Sequence, residues 1–442
     1  MHRVAKIKSF ESQLRNTLQS TFLVSVFGFL TTILITRVLG VEQRGVYTLL
    51  MTMPSIIVTI GRFGFAHSIV YNINRSDKNE VIYSSFVVAL LAGILLFLGT
   101  IVSLGIFRFS FAENINFYYL LISGLLIPMF FITDVLYSTL QGLKDMHYRN
   151  FVYTIQSAFI LLTALMVSFF LGSSGLAYFL IINLLSYVVV IVLCMRRIGL
   201  DKFNTPAFFS YDTLKQLFNY GIKSHFGNIF KQLSYRIDVI IIACFLSLEE
   251  LGLYAVAVTF SELIWKVPDA IGIVLLPSIS ADKNISSFQI TARVSRMILL
   301  PMLLVCVCIF FASGIFLKLF YGEEFVEAQQ CVQYLLPGTL FFSLWKIYVN
   351  DLIARGEAII YSYSSFISAT IIIGLNLILL PRIGIIGASI SSSVGYIFAT
   401  AFVMWKFKSY SSISLSNMIV IKKSELQMLF HQPALIINKV FK

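Results

Sequence analysis

The sequence predicts an all-α integral membrane protein, with twelve transmembrane helices in two pseudo-symmetric six-helix lobes. Three observations carry this expectation. Of 442 residues, 58% are hydrophobic and 12% charged, and the mean hydropathy is +0.87. Soluble domains average about 25% charged, so this chain cannot cover a water-facing surface and lipid must be its solvent. Apolar runs of the roughly 20 residues needed to cross a bilayer recur along the whole chain. The basic residues between them alternate strongly from one side to the other.

The first run, 17–38, follows Arg3, Lys6, Lys8 and Arg15. No A-x-A-like cleavage site comes after it, so it reads as a retained helix and not a signal peptide. Further spans are expected at 46–72, 81–106, 117–141, 148–171, 175–195, 217–246, 252–276, 294–320, 327–353, 358–381 and 384–405. The connection at about 196–216 is the long one. Sorted by side, 22 of the 33 basic residues fall on the face of the N-terminus and tail, 5 on the opposite face and 6 inside spans. That bias puts both termini in the cytoplasm. It also accounts for the net charge of +12, which in a soluble protein would suggest nucleic acid. The five cysteines mostly lie in apolar runs and suggest neither a disulfide framework nor a metal site.

An internal repeat divides the spans. "LGVEQRGVYTLLMT" at 39–52 aligns with "LSLEELGLYAVAVT" at 246–259, so that Glu42, Gly45, Tyr47 and Thr52 meet Glu249, Gly252, Tyr254 and Thr259 at an offset of 207. Gly175 and Tyr187 meet Gly384 and Tyr396 at an offset of 209. Six is even, so both halves enter the membrane in the same direction, the parallel-repeat plan of many transporters. The expected organisation is an N-terminal lobe at 1–210, a C-terminal lobe at 211–408 and a basic cytoplasmic tail at 409–442.

Polar stripes mark the candidate site. In the second span Thr48, Thr52, Ser55, Thr59, Arg62 and Ala66 share one helix face, and at the 207 offset the eighth span presents Thr259, Glu262, Lys266 and Asp269. Hydroxyls alone in such a stripe indicate close helix packing. Charges do not, because each costs about 2.5–3.5 kcal/mol at bilayer centre on insertion scales. In the seventh span Lys223, Lys231, Ser234 and Asp238 share a face that Asn228 extends, with Lys223 toward the cytoplasmic interface, and His225 and Arg236 lie on another face. One reading pairs these charges inside the C-terminal half; the other has the basic members line a wet cavity and meet an anionic substrate. Lys346 and Asp351 in the tenth span and Asp134 in the fourth carry the same ambiguity. His67 reads as a packed histidine, and Pro54 and Pro268 as places where the stripe-bearing helices kink or hinge. No nucleotide-binding loop, metal motif or catalytic triad is present, so a self-contained ATP-driven pump is not indicated.

"LGVEQRGVYTLL" after the first span, the stretch 233–280, "LFYGEEFVEA" at 319–328 and "IGIIGASISSSVGY" at 383–396 together resemble the Wzx-type O-antigen and polysaccharide flippases of the multidrug/oligosaccharidyl-lipid/polysaccharide exporter superfamily. The resemblance covers nearly the whole chain and rests on the order of weak motifs. It implies a MATE/MOP-like fold in the inner membrane. It also implies alternating-access transfer of an undecaprenyl-pyrophosphate-linked oligosaccharide to the periplasmic leaflet, a transporter and not an enzyme. A polysaccharide polymerase and a chain-length regulator would be partners. No cofactor is implied, while coupling to an H⁺ or Na⁺ gradient stays open. On this reading Arg62, Lys231, Arg236, Lys266, Thr59 and Asn228 bind the pyrophosphate and glycan, and Asp134, Asp238, Glu262 and Asp269 serve as charge partners or in ion coupling. The acids beside Lys266 depart from a strongly cationic pattern and leave the pyrophosphate ligands open. A cation-coupled drug exporter of the same superfamily is the alternative, although six basic residues in the spans lean against it. A membrane glycan polymerase or transferase would need larger outward loops than the roughly 4–11 residues available, and a scaffold would not need so many intramembrane charges.

Overall fold

The computed structural model describes residues 2–107, 115–170, 175–203, 205, 208–281, 285–422 and 425. All regular structure among them is helical, and the chain divides into two compact units, Met1–Gly252 and Leu253–Lys442.

The first unit opens with α1 (His2–Gly61), a rod kinked at Gly40, where φ is 69°. Only glycine enters that left-handed region without a Cβ penalty. The kink matters because the apolar stretch Arg15–Gly61 has 47 residues. At 1.5 Å per residue it would measure about 70 Å straight, over twice the hydrocarbon thickness. The sequence places a connection here; the structure turns the chain at a single residue. A second interruption follows at Arg62–Gly64, where Phe63 and Gly64 both have positive φ, before α2 (Phe65–Asn72) resumes the span. Backbone contact fixes this break: a Cβ on Gly64 would fall on the Gly221 carbonyl oxygen. Pro54 lies inside α1 with helical geometry around it, so the bend of this span comes from 62–64 instead. Next come α3 (Lys78–Phe107), α4 (Phe117–Gly142), α5 (Met146–Phe170), α6 (Gly175–Ile198) and α7 (Tyr211–Phe245). Asn116 caps α4 by accepting from the Tyr118 amide at 2.9 Å, and Ser210 caps α7 by accepting from Thr213 at 3.2 Å. Ile69, Ile73, Val81, Leu136, Val190 and Leu217 close the core, so α7 packs with the helices before it. Contact density therefore draws the boundary of this unit later than the repeat does.

At the end of the unit, α8 (Leu248–Glu262) starts against α1 just past its kink. A Cβ on Gly45 would fall on the Leu248 carbonyl oxygen, and a Cβ on Gly252 on the Val41 carbonyl oxygen. Both pairs, Gly45 with Gly252 and Val41 with Leu248, are related by the 207-residue offset, so the contact is reciprocal.

In the second unit α8 gives way to a 3₁₀ turn, Leu263–Trp265, and then α9 (Lys266–Ala281). Pro268 falls in the first turn of α9, where its missing N–H has no helical partner to lose. There follow α10 (Ile285–Phe320), α11 (Gln329–Ala354), α12 (Ala358–Ser411), kinked at Ile383–Gly384, and the short α13 (Leu415–Ile419). The serines of "ISSSVGY" are buried: Ser393 Oγ accepts from the Gly338 amide at 3.3 Å, and Ser392 shares a 3.2 Å hydrogen bond with the Tyr254 hydroxyl. Small residues here let α11 approach α12 closely. The outward surface is apolar, with Phe22, Leu95, Phe169 and Phe311 all at least two-thirds exposed. Among the described residues, eight helices are long and apolar enough to cross a membrane. The protein is a multi-pass membrane protein whose exposed apolar side chains face lipid.

Candidate functional site

The break in the second span sets the site in the first unit. The Arg62 amide bonds back to the Val58 carbonyl and the Phe65 amide to the Arg62 carbonyl, both at 2.9 Å, so Arg62 stands on a tight turn between two helix ends. Its guanidinium lies 3.0 Å from Asp134 Oδ2 on α4, and both side chains keep partial access to solvent. The pair lines a cavity of about 750 Å³, within the size range of small-ligand sites.

Two aromatic stacks flank this pair. Tyr71 of α2 stacks on Tyr220 of α7 with ring centroids 4.0 Å apart, and the Arg75 guanidinium sits 3.5 Å above the Tyr71 ring. Tyr137 of α4 stacks on Tyr153 of α5 at 4.1 Å, with the Arg149 guanidinium 5.3 Å from the Tyr153 centroid. Both Arg–Tyr–Tyr stacks line the same cavity. The tyrosines hold the arginines by cation–π attraction and offer flat apolar faces with polar edges. Three arginines against one aspartate leave the cavity at +2, counting Arg62, Arg75 and Arg149 against Asp134. Arginine forks match phosphate oxygens bidentately. The chemistry suits an anion attached to something flat-faced and polar.

The second unit repeats the plan with the charges exchanged. Its stripe-bearing span is also interrupted, at Leu263–Trp265. Asp269, the repeat counterpart of Arg62, pairs with Lys346 of α11 at 2.7 Å. Arg62 pairs from the second span to the fourth; Asp269 pairs from the eighth to the tenth. Aromatics attend this pair too: Lys346 Nζ is 5.1 Å from the Trp265 ring, and Phe342 stacks on Trp345 at 4.5 Å.

The other predicted residues are distributed as follows. Thr59 is buried and donates to the Ser55 carbonyl at 2.8 Å, as Thr48 and Ser55 donate to carbonyls of the preceding turn, and the Ser55 hydroxyl also accepts from Gln232 of α7 at 3.1 Å. Asn228 on α7 hydrogen-bonds His67. Lys231 Nζ lies 5.8 Å from the Tyr235 ring, and Arg236 donates to the Tyr235 carbonyl at 3.3 Å. Asp238 is buried and accepts from the Val239 amide at 2.8 Å. Glu262 is half-buried at the end of α8. Lys266 is exposed and joins none of the ion pairs among the described residues; the lysine that Asp269 meets is Lys346. Asp351 pairs with Arg355 at 2.7 Å and accepts from Thr291 at 2.8 Å, fully buried. The side chain of Lys223 lies outside the described residues. Arg62 and Asp134 are thus predicted site residues that the structure brings together.

Arg75 and Arg149 escape a hydropathy reading because one falls in a connection and the other at the very start of a span, where the positive-inside count absorbs both. The available signal is spacing: Arg75 is four residues after Tyr71, and Arg149 four before Tyr153, the interval that puts two side chains on one helical face.

The polysaccharide biosynthesis protein family matches residues 16–282 of the chain. A putative O-antigen transporter of Shigella flexneri is 23% identical over 392 residues, covering 85% of this chain and 92% of that protein. Among solved structures, the lipid II flippase MurJ in an inward closed conformation superposes with a TM-score of 0.75 at 16% identity, covering 96% of each chain. An inward-facing multidrug resistance MATE family transporter of the MOP superfamily superposes with a TM-score of 0.68 at 14% identity, covering 90% of this chain and 98% of that one. The fold is MOP-like.

Proposed function

Since the chain belongs to the polysaccharide biosynthesis protein family, we propose that it is a flippase for a lipid-linked oligosaccharide, carrying an undecaprenyl-pyrophosphate-linked repeat unit from the cytoplasmic to the periplasmic leaflet by alternating access. The observation that carries the reading is the cavity of the first unit, where Arg62, Arg75 and Arg149 stand between two tyrosine stacks. Pyrophosphate is anionic and takes charge-assisted hydrogen bonds from guanidinium forks. The sugar rings present apolar faces that lie against the tyrosines, and their hydroxyls meet Asn74, Ser138 and Gln141. Arg75, in a connection, and Arg149, in the first turn of α5, lie at span ends that the basic-residue bias assigns to the cytoplasm, so substrate enters from that side.

The rest of the proposal follows the sequence. Twelve crossings form lobes at 1–210 and 211–408, with both termini and the tail 409–442 in the cytoplasm of a bacterial cell. Lys231, Arg236, Lys266, Thr59 and Asn228 contribute to binding during the cycle. Asp134 and Asp269 are the charge partners of Arg62 and Lys346, while Asp238 and Glu262 are held for coupling to an H⁺ or Na⁺ gradient. A polymerase and a chain-length regulator act on the product. The superposed MATE fold supports the second reading, a cation-coupled exporter. Its demand for intramembrane acids meets carboxylates of which three, Asp134, Asp269 and Asp351, have an arginine or lysine beside them.

The test is chromosomal deletion followed by leaflet assignment of lipid-linked repeat units. Spheroplasts are treated with a membrane-impermeant glycan oxidant. Deletion is expected to leave the repeat units protected, and complementation by the wild type to expose them. Full exposure in the deletion strain would overturn the proposal.

A further inference from the structure

Past α12 the chain folds back on its own unit. Ser412 takes a positive φ of 56°, α13 follows, and Met418 is fully buried. The Met418 carbonyl accepts from Ser295 Oγ at 3.0 Å and from the Tyr348 hydroxyl at 3.1 Å. Arg296 of α10 donates to the Glu425 carboxylate, at 2.9 Å through Nε and again through Nη2, and also to the Asn417 carbonyl. Backbone and side-chain bonds together pin this segment to the start of α10.

The pinned segment walls two hollows. One, of about 750 Å³, lies between α10 and the tail, with Arg293, Arg296, Lys422 and Glu425 as its charged lining and Gln289, Ser412, Ser414 and Asn417 among its polar lining. The Arg296–Glu425 pair cancels, which leaves +2. The other is an apolar groove of about 280 Å³ beside α12, lined by Phe341, Met404, Trp405, Leu415 and Ile419 together with Lys408. Phe341, Trp405, Leu415 and Ile419 are all more than a third exposed. Ser414 and Asn417 border the basic hollow while Leu415 and Ile419 border the groove, so α13 is a wall common to both.

We propose that the two hollows form one binding site for an anionic phospholipid, with its phosphate in the basic hollow and an acyl chain along the groove. Basic pockets at the ends of transmembrane helices hold anionic headgroups, and lysine with tryptophan beside the groove is the usual furniture of a membrane interface. A free phosphate would satisfy the basic hollow and leave the exposed apolar groove unused; a phospholipid uses both. The site is separate from the arginine–tyrosine cavity and does not rest on the substrate assigned to it.

The full-length protein in detergent micelles is titrated with phosphatidylglycerol, phosphatidylcholine and inorganic phosphate, and retained lipid is read by native mass spectrometry. One phosphatidylglycerol is expected to bind about tenfold more tightly than phosphatidylcholine, each nearby cation adding to the preference. Arg293→Gln with Lys422→Gln should erase the preference, and Arg293→Lys should keep it. Leu415→Asn with Ile419→Asn should weaken phosphatidylglycerol binding several-fold while inorganic phosphate stays a poor competitor. Equal retention of the two lipids by the wild type overturns the proposal, a comparison that needs no variant to fold. Displacement of phosphatidylglycerol by millimolar inorganic phosphate overturns it in favour of a phosphate site.

Discussion

Dissecting the Arg62–Asp134 pair separates structure from transport. At 3.0 Å two unit charges attract by about 5–6 kcal/mol at an effective dielectric of 20. The side chains are 24% and 32% exposed, so water screens part of this and desolvation takes back more. A coupling energy of about 1–3 kcal/mol is the net expectation, that of a charged hydrogen bond in a partly wet site. The assay is a double-mutant cycle of wild type, Arg62→Gln, Asp134→Asn and the double variant, read as thermal unfolding in detergent and as surface polysaccharide in a deletion strain. Each single variant should be destabilised, because it leaves one charge without its partner, and the double should recover most of that loss. Transport should part company with stability. Asp134→Asn keeps the guanidinium and should transport in proportion to its protein level. Arg62→Gln and the double should both fail, since each lacks the anion ligand. A stable double variant that transports at the wild-type rate would mean that Arg62 serves only Asp134.

Three further outcomes are expected. In a cysteine-free background, cysteine at position 324 should be labelled by a periplasm-restricted thiol reagent and cysteine at 145 should not; the reverse pattern would invert the topology. Tyr71→Ala should leave protein level near normal, since the ring is partly exposed, and slow transport about fivefold, the worth of roughly 1 kcal/mol of lost stacking and cation–π contact, and an unchanged rate would remove that tyrosine from the site. Docking of the tail should weaken in acid. Burial raises the Glu425 carboxyl, but its bonds to Arg296 and Lys422 and the nearby charge of Arg293 outweigh this and hold it below the usual 4.5. A depressed carboxyl stabilises above its unfolded value, so protection of the tail from proteolysis should be complete at neutral pH, start to fall below about 4.5 and disappear below the lower folded value. Protection that rises on acidification would contradict the sign.

Much of the fold is legible in the sequence because lipid imposes it: apolar runs, basic alternation and a repeat are all local or periodic signals. The two kinks show where that legibility stops. Gly40 and Gly384 lie where hydropathy dips, which reads as a connection, yet each turns the chain within one or two residues because positive φ is open to glycine. The site is legible at Arg62, where a charge in a span is costly enough to stand out. Its partner is not, since Asp134 is 72 residues away and side-chain spacing speaks only within a helix turn or two. The same limit explains Asp269, which shares a predicted face with Lys266 but pairs with Lys346, 77 residues on. Arg75 and Arg149 were hidden by their own topological usefulness.

The reciprocal glycine contact has the form of a homodimer interface. In a twofold assembly residue i of one copy meets residue j of the other, and j meets i; here Gly45 meets Leu248 while Gly252 meets Val41. A protein of half this length could have built the same contact between two identical chains, and duplication with fusion would keep it intact. Fusion also ends the obligation of both copies to be identical. A homodimer must carry the same charge twice at equivalent positions, whereas the fused chain holds Arg62 in one and Asp269 in the other, each matched by an opposite partner. The glycines keep the twofold form of the contact, and the exchanged ion pairs depart from it as only a single chain can.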